Sequence, residues 1–228
     1  MLKKSLQKIL NKIGKNYTIN QDIPDSLILS LFFTRGLMLL RGILLIRKKI
    51  FLGKNVCVKN KRNFDFGKNV TIEKYTDLDG YASSRIYLGN NAKIGSYSKL
   101  LCTSHLATYG KGFKMGDNSA MGDYCHIGSA GGIEIGNDVI MGSYISFHSE
   151  NHNYDNPDVL IREQGVNSKG IKIGDNIWIG AKVTFLDGCI IGNNSIVAAG
   201  AVVKGVFPPN VIIGGVPAKV LKTIYNEN

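Results

Sequence analysis

The stretch IKIGDNIWIGAKVTFLDGCIIGNNSIVAAGAVV, residues 171–203, decides the fold because its apolar residues recur every six positions. These are Ile173, Ile179, Phe185, Ile191, Val197 and Val203. A period of six fits neither an amphipathic helix nor a hairpin meander, and it predicts very short strands, each pointing one side chain into a shared core. The corner sequences GDN at 174 and GNN at 192 place Gly, Asn and Asp where left-handed backbone angles are tolerated, and they lie 18 residues apart. We therefore predict triangular coils stacked into a parallel β-solenoid.

The same six-residue step occurs in much of the chain before residue 171. It places Leu88, Ile94 and Leu100 in one series, Met115, Met121, Ile127 and Ile133 in a second, Ile135, Met141 and Phe147 in a third and, less regularly, Phe66, Ile72 and Leu78 in a fourth. The step slips by two residues between Ile133 and Ile135, and 26 residues separate Phe147 from Ile173. We predict an extruded loop at about 148–172. A Gly-rich parallel sheet or an irregular β-sandwich is the alternative fold.

The net charge of +11 belongs to one end of the chain. Residues 1–62 contain 14 Lys and Arg against two acids, so the remainder is close to neutral. This asymmetry argues against a nucleic-acid-binding solenoid, and no nucleic-acid partner is expected. The four cysteines are widely spread and form no CxxC pair, which predicts free thiols in a reducing cytoplasm. The sequence MLKKSLQKIL lacks the features of a secretory signal.

Residues 1–50 are predicted to form a basic amphipathic helical segment. Apolar residues recur at helical spacing at Leu2, Leu6, Ile9, Leu10 and Ile13, with lysines mainly between them, up to Lys15. A second helix is expected after IPDS, with Asp25 or Ser26 as its N-cap. Its sequence is apolar but includes Arg35 and Arg41, which argues against a membrane span. Two roles stay open: peripheral contact with the cytoplasmic face of a membrane, or packing against the solenoid and neighbouring subunits.

The hexad ladder, a long loop containing a histidine, then IKIGDNIWIGAKV and IIGGVPAKVLK follow one another in an order that resembles the hexapeptide-repeat acyltransferases. The sugar and polysaccharide O-acetyltransferase subgroup is the most similar, over about residues 52–222. The resemblance implies a left-handed parallel β-helix, acetyl-CoA as the acyl donor, and a homotrimer with active sites between subunits. It divides the chain into a helical segment 1–50, an acetyltransferase domain 51–222 and a tail 223–228.

The resemblance also assigns a general base, His152 in the loop sequence SENHNY. A sugar hydroxyl must lose its proton as it attacks a thioester, and histidine is the side chain best suited to accept a proton near neutral pH. His148, Glu150 and Asp155 are secondary candidates, the two acids as groups that could orient the imidazole. The alternative for His152 is a solvated loop histidine without a catalytic role.

Eight further positions match the part of the family pattern that holds the acyl donor. They are Trp178, Gly180, Ala181, Ala199, Gly200, Lys204, Lys219 and Lys222. By resemblance, the N–H of Ala181 meets the thioester end, and Ala199 and Gly200 leave room for the pantetheine arm. Trp178 flanks the same cleft, and the last two lysines lie near the coenzyme phosphates. Lys204 departs from the family pattern, because it stands one residue earlier than the corresponding lysine.

Taken together, these features predict the transfer of acetyl from acetyl-CoA to a hydroxyl of a cell-surface saccharide (lipopolysaccharide O-antigen or capsule) or its precursor. Three alternatives remain. The acceptor could be the amine of an amino sugar nucleotide. His148 and His152, with His105 or His126, could bind zinc as in β-helical carbonic anhydrases, although no metal is expected because the usual spacing is absent. The solenoid could also be a scaffold without catalytic activity.

Overall fold

The computed structural model describes residues 2–12, 18–103 and 105–224. Two helices precede the solenoid: α1, Leu2–Lys12, and α2, Asp25–Arg41, which continues as a π-helical turn, Gly42–Ile46. The predicted N-cap of α2 is wrong, because Asp25 is already helical and Pro24 precedes it without a side-chain cap. The expectations for Ile13, Lys15 and the last four residues of the tail fall outside the described residues.

Within the described residues, twenty-five short strands follow, together with 3₁₀ turns at Lys61–Asn63 and Ile161–Glu163. In chain order they are β1 Phe51–Leu52, β2 Cys57–Lys59, β3 Phe64–Phe66, β4 Thr71–Ile72, β5 Asp77–Asp79, β6 Ile86–Leu88, β7 Lys93–Ile94, β8 Lys99–Leu101, β9 Phe113–Met115, β10 Ala120–Met121, β11 His126–Gly128, β12 Ile133–Ile135, β13 Ile140–Met141, β14 Ser146–His148, β15 Asn151–His152, β16 Val166–Asn167, β17 Ile171–Ile173, β18 Trp178–Ile179, β19 Thr184–Leu186, β20 Ile190–Ile191, β21 Ile196–Val197, β22 Val202–Val203, β23 Val206–Phe207, β24 Val211–Gly215 and β25 Ala218–Thr223.

Three parallel sheets form the sides of a triangular prism. Sheet A runs β1-β4-β7-β10-β13-β18-β21-β24, with β25 added antiparallel at its end. Sheet B runs β2-β5-β8-β11-β14-β19-β22, and sheet C runs β3-β6-β9-β12-β17-β20-β23. The chain passes from A to B to C in each coil, which confirms the predicted solenoid. The fold is a left-handed parallel β-helix.

The predicted inward column is buried almost throughout. Ile173, Ile179 and Phe185 are at most 4% exposed, and the Phe185 ring stacks on Phe147 with centroids 4.9 Å apart. Phe66, at the irregular beginning of the solenoid, is partly buried against this core. One continuous core therefore fills the prism from the first coil to the last.

The slip of two residues between Ile133 and Ile135 has a structural explanation. Both residues belong to β12, and both are buried because the first and third residues of a strand point to the same side. The prediction of one inward side chain per strand is therefore wrong for most of sheet C. Met121 pairs with Met141 twenty residues later, whereas Ile179 pairs with Val197 after 18.

All three corners carry residues with left-handed backbone angles, and the B–C corner has Asn60 in the first coil and glycines such as Gly132 and Gly188 in later coils. The C–A corner holds the predicted Asn and Asp, at Asn69, Asn91, Asn118, Asp138, Asn176, Asn194 and Asn210. The A–B corner instead holds tyrosines, at Tyr75, Tyr97, Tyr124 and Tyr144, whose rings stack 4.9–5.0 Å apart. Lys182 and Gly200 occupy the same corner in the following coils. The sequence did not predict this tyrosine stack.

Both long excursions leave the solenoid at the B–C corner. The first, residues 102–112, connects β8 to β9, and the second, residues 149–170, connects β14 to β17. The second agrees with the predicted loop at about 148–172, and it contains the antiparallel pair β15–β16. We call residues 149–170 the active-site loop, because they contain the predicted base His152 and the secondary candidates Glu150 and Asp155.

Candidate active site

The active-site loop has an ordered internal structure built by polar side chains. His152 pairs with Val166 across β15 and β16, and the imidazole of His152 is exposed. Gln164 joins the tip of the loop to its stem: its side-chain N–H groups donate to the carbonyl oxygens of Asn156 (2.8 Å) and Val159 (2.7 Å). The Asn153 side chain donates to the carbonyl of Gln164 over 2.9 Å. The loop thus holds His152 on a hairpin rather than on an irregular segment.

Asp187 binds the base of this loop to the next coil by hydrogen bonds. Its carboxylate is 6% exposed and accepts hydrogen bonds from the backbone N–H groups of Lys169 (2.9 Å) and Gly170 (2.7 Å). It also accepts from the Asn151 side chain over 3.2 Å. One carboxylate therefore holds the strand that leaves the solenoid and the strand that returns to it. Hydrogen bonds to a charged acceptor contribute about 1.5–3 kcal/mol each, so this contact matters for loop position.

A pocket of about 420 Å³ lies beside the hairpin and brings together three of the predicted residues. His152 and Asp155 contribute from the loop, and Lys204 contributes from the B–C corner two coils further on. The remaining lining residues are Asn151, Asn153, Tyr154 and Asn167. The lining is strongly polar, which suits a ligand rich in hydroxyl groups.

The other secondary candidates lie outside this pocket. His148 ends β14 on the outer face of sheet B, where its Nε2 is 2.7 Å from the Ser146 Oγ and its ring is 5.8 Å from that of His126. Burial lowers the pKa of His126, and the nearby His148 and Lys99 lower it further by smaller amounts. Within the described residues, neither Glu150 nor Asp155 forms a hydrogen bond with the imidazole of His152.

The donor positions lie mostly on a different corner. Ala181, Ala199 and Gly200 follow β18 and β21 at the A–B corner, and the Gly200 N–H donates to the Ala181 carbonyl over 2.9 Å. No hydrogen bond of the Ala181 N–H occurs within the described part of the chain, so that donor is available. An added Cβ at Gly200 would have nothing within 4 Å, whereas one at Gly180 would lie 2.5 Å from the Ala199 nitrogen. Gly180 is therefore required by coil stacking.

The three remaining donor positions lie on the sheet A side of the prism. The Trp178 side chain is 59% exposed on the outer face of that sheet, between the neighbouring strands of Ile140 and Ile196. Lys219 and Lys222 are exposed on β25. A single chain thus brings Lys204 to His152, but the other donor positions stay at a different corner from the proposed base.

The described residues contain no group of three His, Cys, Asp or Glu side chains that could hold a metal ion. All four cysteines are free, as predicted. Burial raises the pKa of Cys102 and Cys189 to about 12 and that of Cys125 to about 11, so these three thiols stay protonated and unreactive at neutral pH.

Sequence reasoning missed Asp187 and Gln164. Asp187 could have been found, because it stands at the B–C corner of the coil immediately after the loop, where a carboxylate can reach both loop ends. Gln164 had no such signal, since its partners depend on the path of the loop.

Comparison with known proteins agrees with this architecture. The family profile described as "Bacterial transferase hexapeptide (six repeats)" matches residues 170–205. The putative lipopolysaccharide biosynthesis O-acetyl transferase WbbJ of Escherichia coli K12 is 35% identical over 177 residues, covering 75% of this chain and 76% of that protein. The chain therefore belongs to the hexapeptide-repeat acetyltransferases and is an enzyme of the acyltransferase class.

Two solved structures share the fold. A hexapeptide-repeat acetyltransferase of Vibrio cholerae O1 biovar eltor, crystallised with acetyl coenzyme A, superposes with a TM-score of 0.53 at 27% identity over 61% of this chain and 71% of that chain. A variant of AntD, an N-acyltransferase of Bacillus cereus in complex with dTDP and coenzyme A, gives a TM-score of 0.57 at 22% identity, over 76% and 86% of the two chains.

Proposed function

We propose that this enzyme transfers acetyl from acetyl-CoA to a hydroxyl of a cell-surface saccharide, or of its precursor, in the cytoplasm. The observation that carries the proposal is His152, whose imidazole is exposed beside a polar pocket and has no protein partner within the described residues. The similarity to WbbJ supports a saccharide of the lipopolysaccharide O-antigen or capsule type as the acceptor.

In this proposal His152 acts as a general base. It accepts the proton of the acceptor hydroxyl while the oxygen attacks the thioester carbonyl, and a tetrahedral intermediate forms. The intermediate collapses by breaking its C–S bond, and the leaving thiolate takes the proton back from the imidazole. Since acceptor and donor are bound together, no covalent acetyl-enzyme is needed. A positioned base of this kind contributes about 10²–10⁴-fold to the rate.

The residues of the A–B corner fit an acyl-CoA donor. Ala199 and Gly200 present little side chain at this corner, and the space beside Gly200 is open, so an extended pantetheine arm can lie along them. The free N–H of Ala181 points to oxyanion stabilisation, worth roughly 3–4 kcal/mol when such a donor is well placed. Lys219 and Lys222 supply exposed positive charge for the phosphates. Bound acetyl-CoA would provide the activated acyl group.

The separation of the two corners favours a trimer with shared sites. Lys204 lies beside His152, but Ala181 and Gly200 lie across sheet B from it. We propose that the active-site loop of one subunit closes over the A–B corner of its neighbour, so that residues 51–222 of two copies form each site. Light scattering should then give a mass three times that of the 24.9 kDa chain.

Mass spectrometry of the surface polysaccharide tests the proposed reaction. Cells that make this enzyme should carry one additional acetyl group per saccharide repeat, and cells without it, or with only the His152→Ala variant, should lack it. The group should be released by mild base, as an ester is. Identical polysaccharide with and without the enzyme would overturn the proposal, and a base-stable acetyl would identify an amine acceptor instead.

A further inference from the structure

Helix α2 and its π-helical turn present an apolar surface to the outside of the protein. The most apolar 18-residue window within residues 25–46 has a mean hydropathy of 1.8, and 17% of it is buried, so by length and composition this helix could cross a membrane. Its buried apolar residues are Ile28 and Met38. The outward ones, which we call the apolar face, are Leu29, Phe33, Leu37, Leu40, Ile43, Leu44 and Leu45. Leu27, Leu31 and Phe32 are exposed too, but they line an apolar groove together with Leu6, Ile19 and Phe51. A helix that merely capped the solenoid would bury its large apolar residues rather than expose them.

The two arginines of this helix point toward the solenoid. The Arg35 guanidinium donates to the Thr71 hydroxyl over 2.9 Å and lies 3.4 Å above the centre of the Phe51 ring. Arg41 donates to the carbonyl of Leu52 over 3.5 Å. The charges that appear to break the apolar sequence are therefore on the inner side of the helix. Between Asp25 and Arg47, the outward side carries uncharged residues alone.

These contacts argue against a helix that crosses a membrane. At Gly42 an added Cβ would lie 2.0 Å from the carbonyl oxygen of Ile50, so the helix backbone touches the first coil directly. With Arg35 and Arg41, this attaches the inner side of the helix to the solenoid over much of its length. A helix that spans a bilayer is surrounded by lipid or by other spanning helices, but here one side is covered by the soluble domain.

Positive charge flanks the apolar face at both ends of the helix. Exposed bases lie on α1, directly after the π-helical turn, and in the first coil: Lys4, Lys8, Arg47, Lys48, Lys49, Lys61 and Arg62. Apolar residues flanked by bases match the boundary between acyl chains and anionic headgroups. A second copy of the same surface fits less well, because two such surfaces would bring like charges together.

We propose that the apolar face of α2 is a membrane-binding surface that lies in the interfacial layer of an anionic bilayer, with the solenoid standing on that surface. The acetyl transfer described above does not depend on this contact. The contact would keep the enzyme at the membrane, where lipid-linked saccharides are found.

Sedimentation of the full-length protein with phospholipid vesicles tests this proposal. We expect binding to vesicles that contain phosphatidylglycerol, at least tenfold weaker binding to pure phosphatidylcholine vesicles, and release as salt rises. The triple variant Leu29→Ser, Phe33→Ser, Leu44→Ser removes side chains that are 57–70% exposed, and it should abolish binding without changing the circular dichroism spectrum.

The matched control is Leu106→Ser, Ile140→Ser, Val206→Ser, which removes apolar side chains that are 62–102% exposed outside α2 and should bind vesicles like the wild type. Equal binding by the α2 variant and the wild type would overturn the proposal. The proposal would also be overturned if the wild type does not bind anionic vesicles and the α2 variant has a different oligomeric mass. The apolar face would then be covered by another copy.

Discussion

Phe147 and His152 are five residues apart in the chain and represent two regions with different physical roles. Phe147 is fully buried in the fifth coil and stacks on Phe185, whereas His152 is exposed on the hairpin of the active-site loop. The coils provide a close-packed column in which each side chain is fixed by the coils above and below it. The loop provides exposed polar groups that are fixed by hydrogen bonds alone. Stability should therefore depend on the coils and turnover on the loop.

The largest effect should come from His152. His152→Ala removes the proposed base, so turnover should fall by about 10²–10⁴-fold while the affinity for acetyl-CoA and the denaturation midpoint change little. Steady-state kinetics with a saccharide acceptor, together with a donor-binding titration, measures both. His148→Ala is the matched control, because His148 lies on sheet B outside the pocket. If the control is inactive and His152→Ala is nearly normal, the base has been assigned to the wrong region.

Phe147→Ala should show the opposite pattern. Removing a fully buried aromatic ring leaves a cavity, so the free energy of unfolding should fall by about 3–5 kcal/mol. Denaturant unfolding at fixed protein concentration measures it. Tyr154→Ala removes an aromatic ring that is 73% exposed in the loop and should change stability by less than about 0.5 kcal/mol. Similar losses in the two variants would mean that the loop supports the fold as much as the core does.

The fold was more predictable than the site for a physical reason. A strand in a stacked coil has its neighbours at fixed offsets, so apolar residues at Ile173, Ile179 and Phe185 already specify which side chains face inward. No period constrains the 22 residues of the loop, and the partners of Gln164 follow from its path. The sequence also could not predict that His152 and Ala181 lie at different corners, because the spacing along the chain does not show which corner of a prism each residue occupies.

Asp187 lies on a coil and binds the backbone of the loop, so its removal should lower both stability and turnover by a moderate amount. Asp187→Leu leaves the N–H groups of Lys169 and Gly170 without their acceptor, which should lower stability by about 1–3 kcal/mol. Because the hairpin then loses its fixed position, the turnover number should fall more than the donor Michaelis constant rises. Asp187→Asn keeps one acceptor oxygen and should recover part of both losses. Asp158→Leu, in the exposed part of the loop, serves as the control, and an equal loss there would remove Asp187 from its positioning role.

The smallest expected effect is a pH dependence of stability that comes from a histidine of the coils. Burial lowers the pKa of His126 on β11, so the folded chain binds this proton more weakly than the unfolded chain. The free energy of unfolding should therefore rise with pH between the lowered pKa and the ordinary value of about 6.5, and decline on acidification through that interval. His126 faces His148 and Lys99, whose positive charges act in the same direction. Denaturation midpoints of wild type and His126→Gln can be measured from about pH 5 to 8, and the two should converge at low pH. The control is His105→Gln, in the exposed excursion 102–112, whose midpoints should follow those of the wild type. Parallel curves for wild type and His126→Gln would mean that His126 does not titrate with folding.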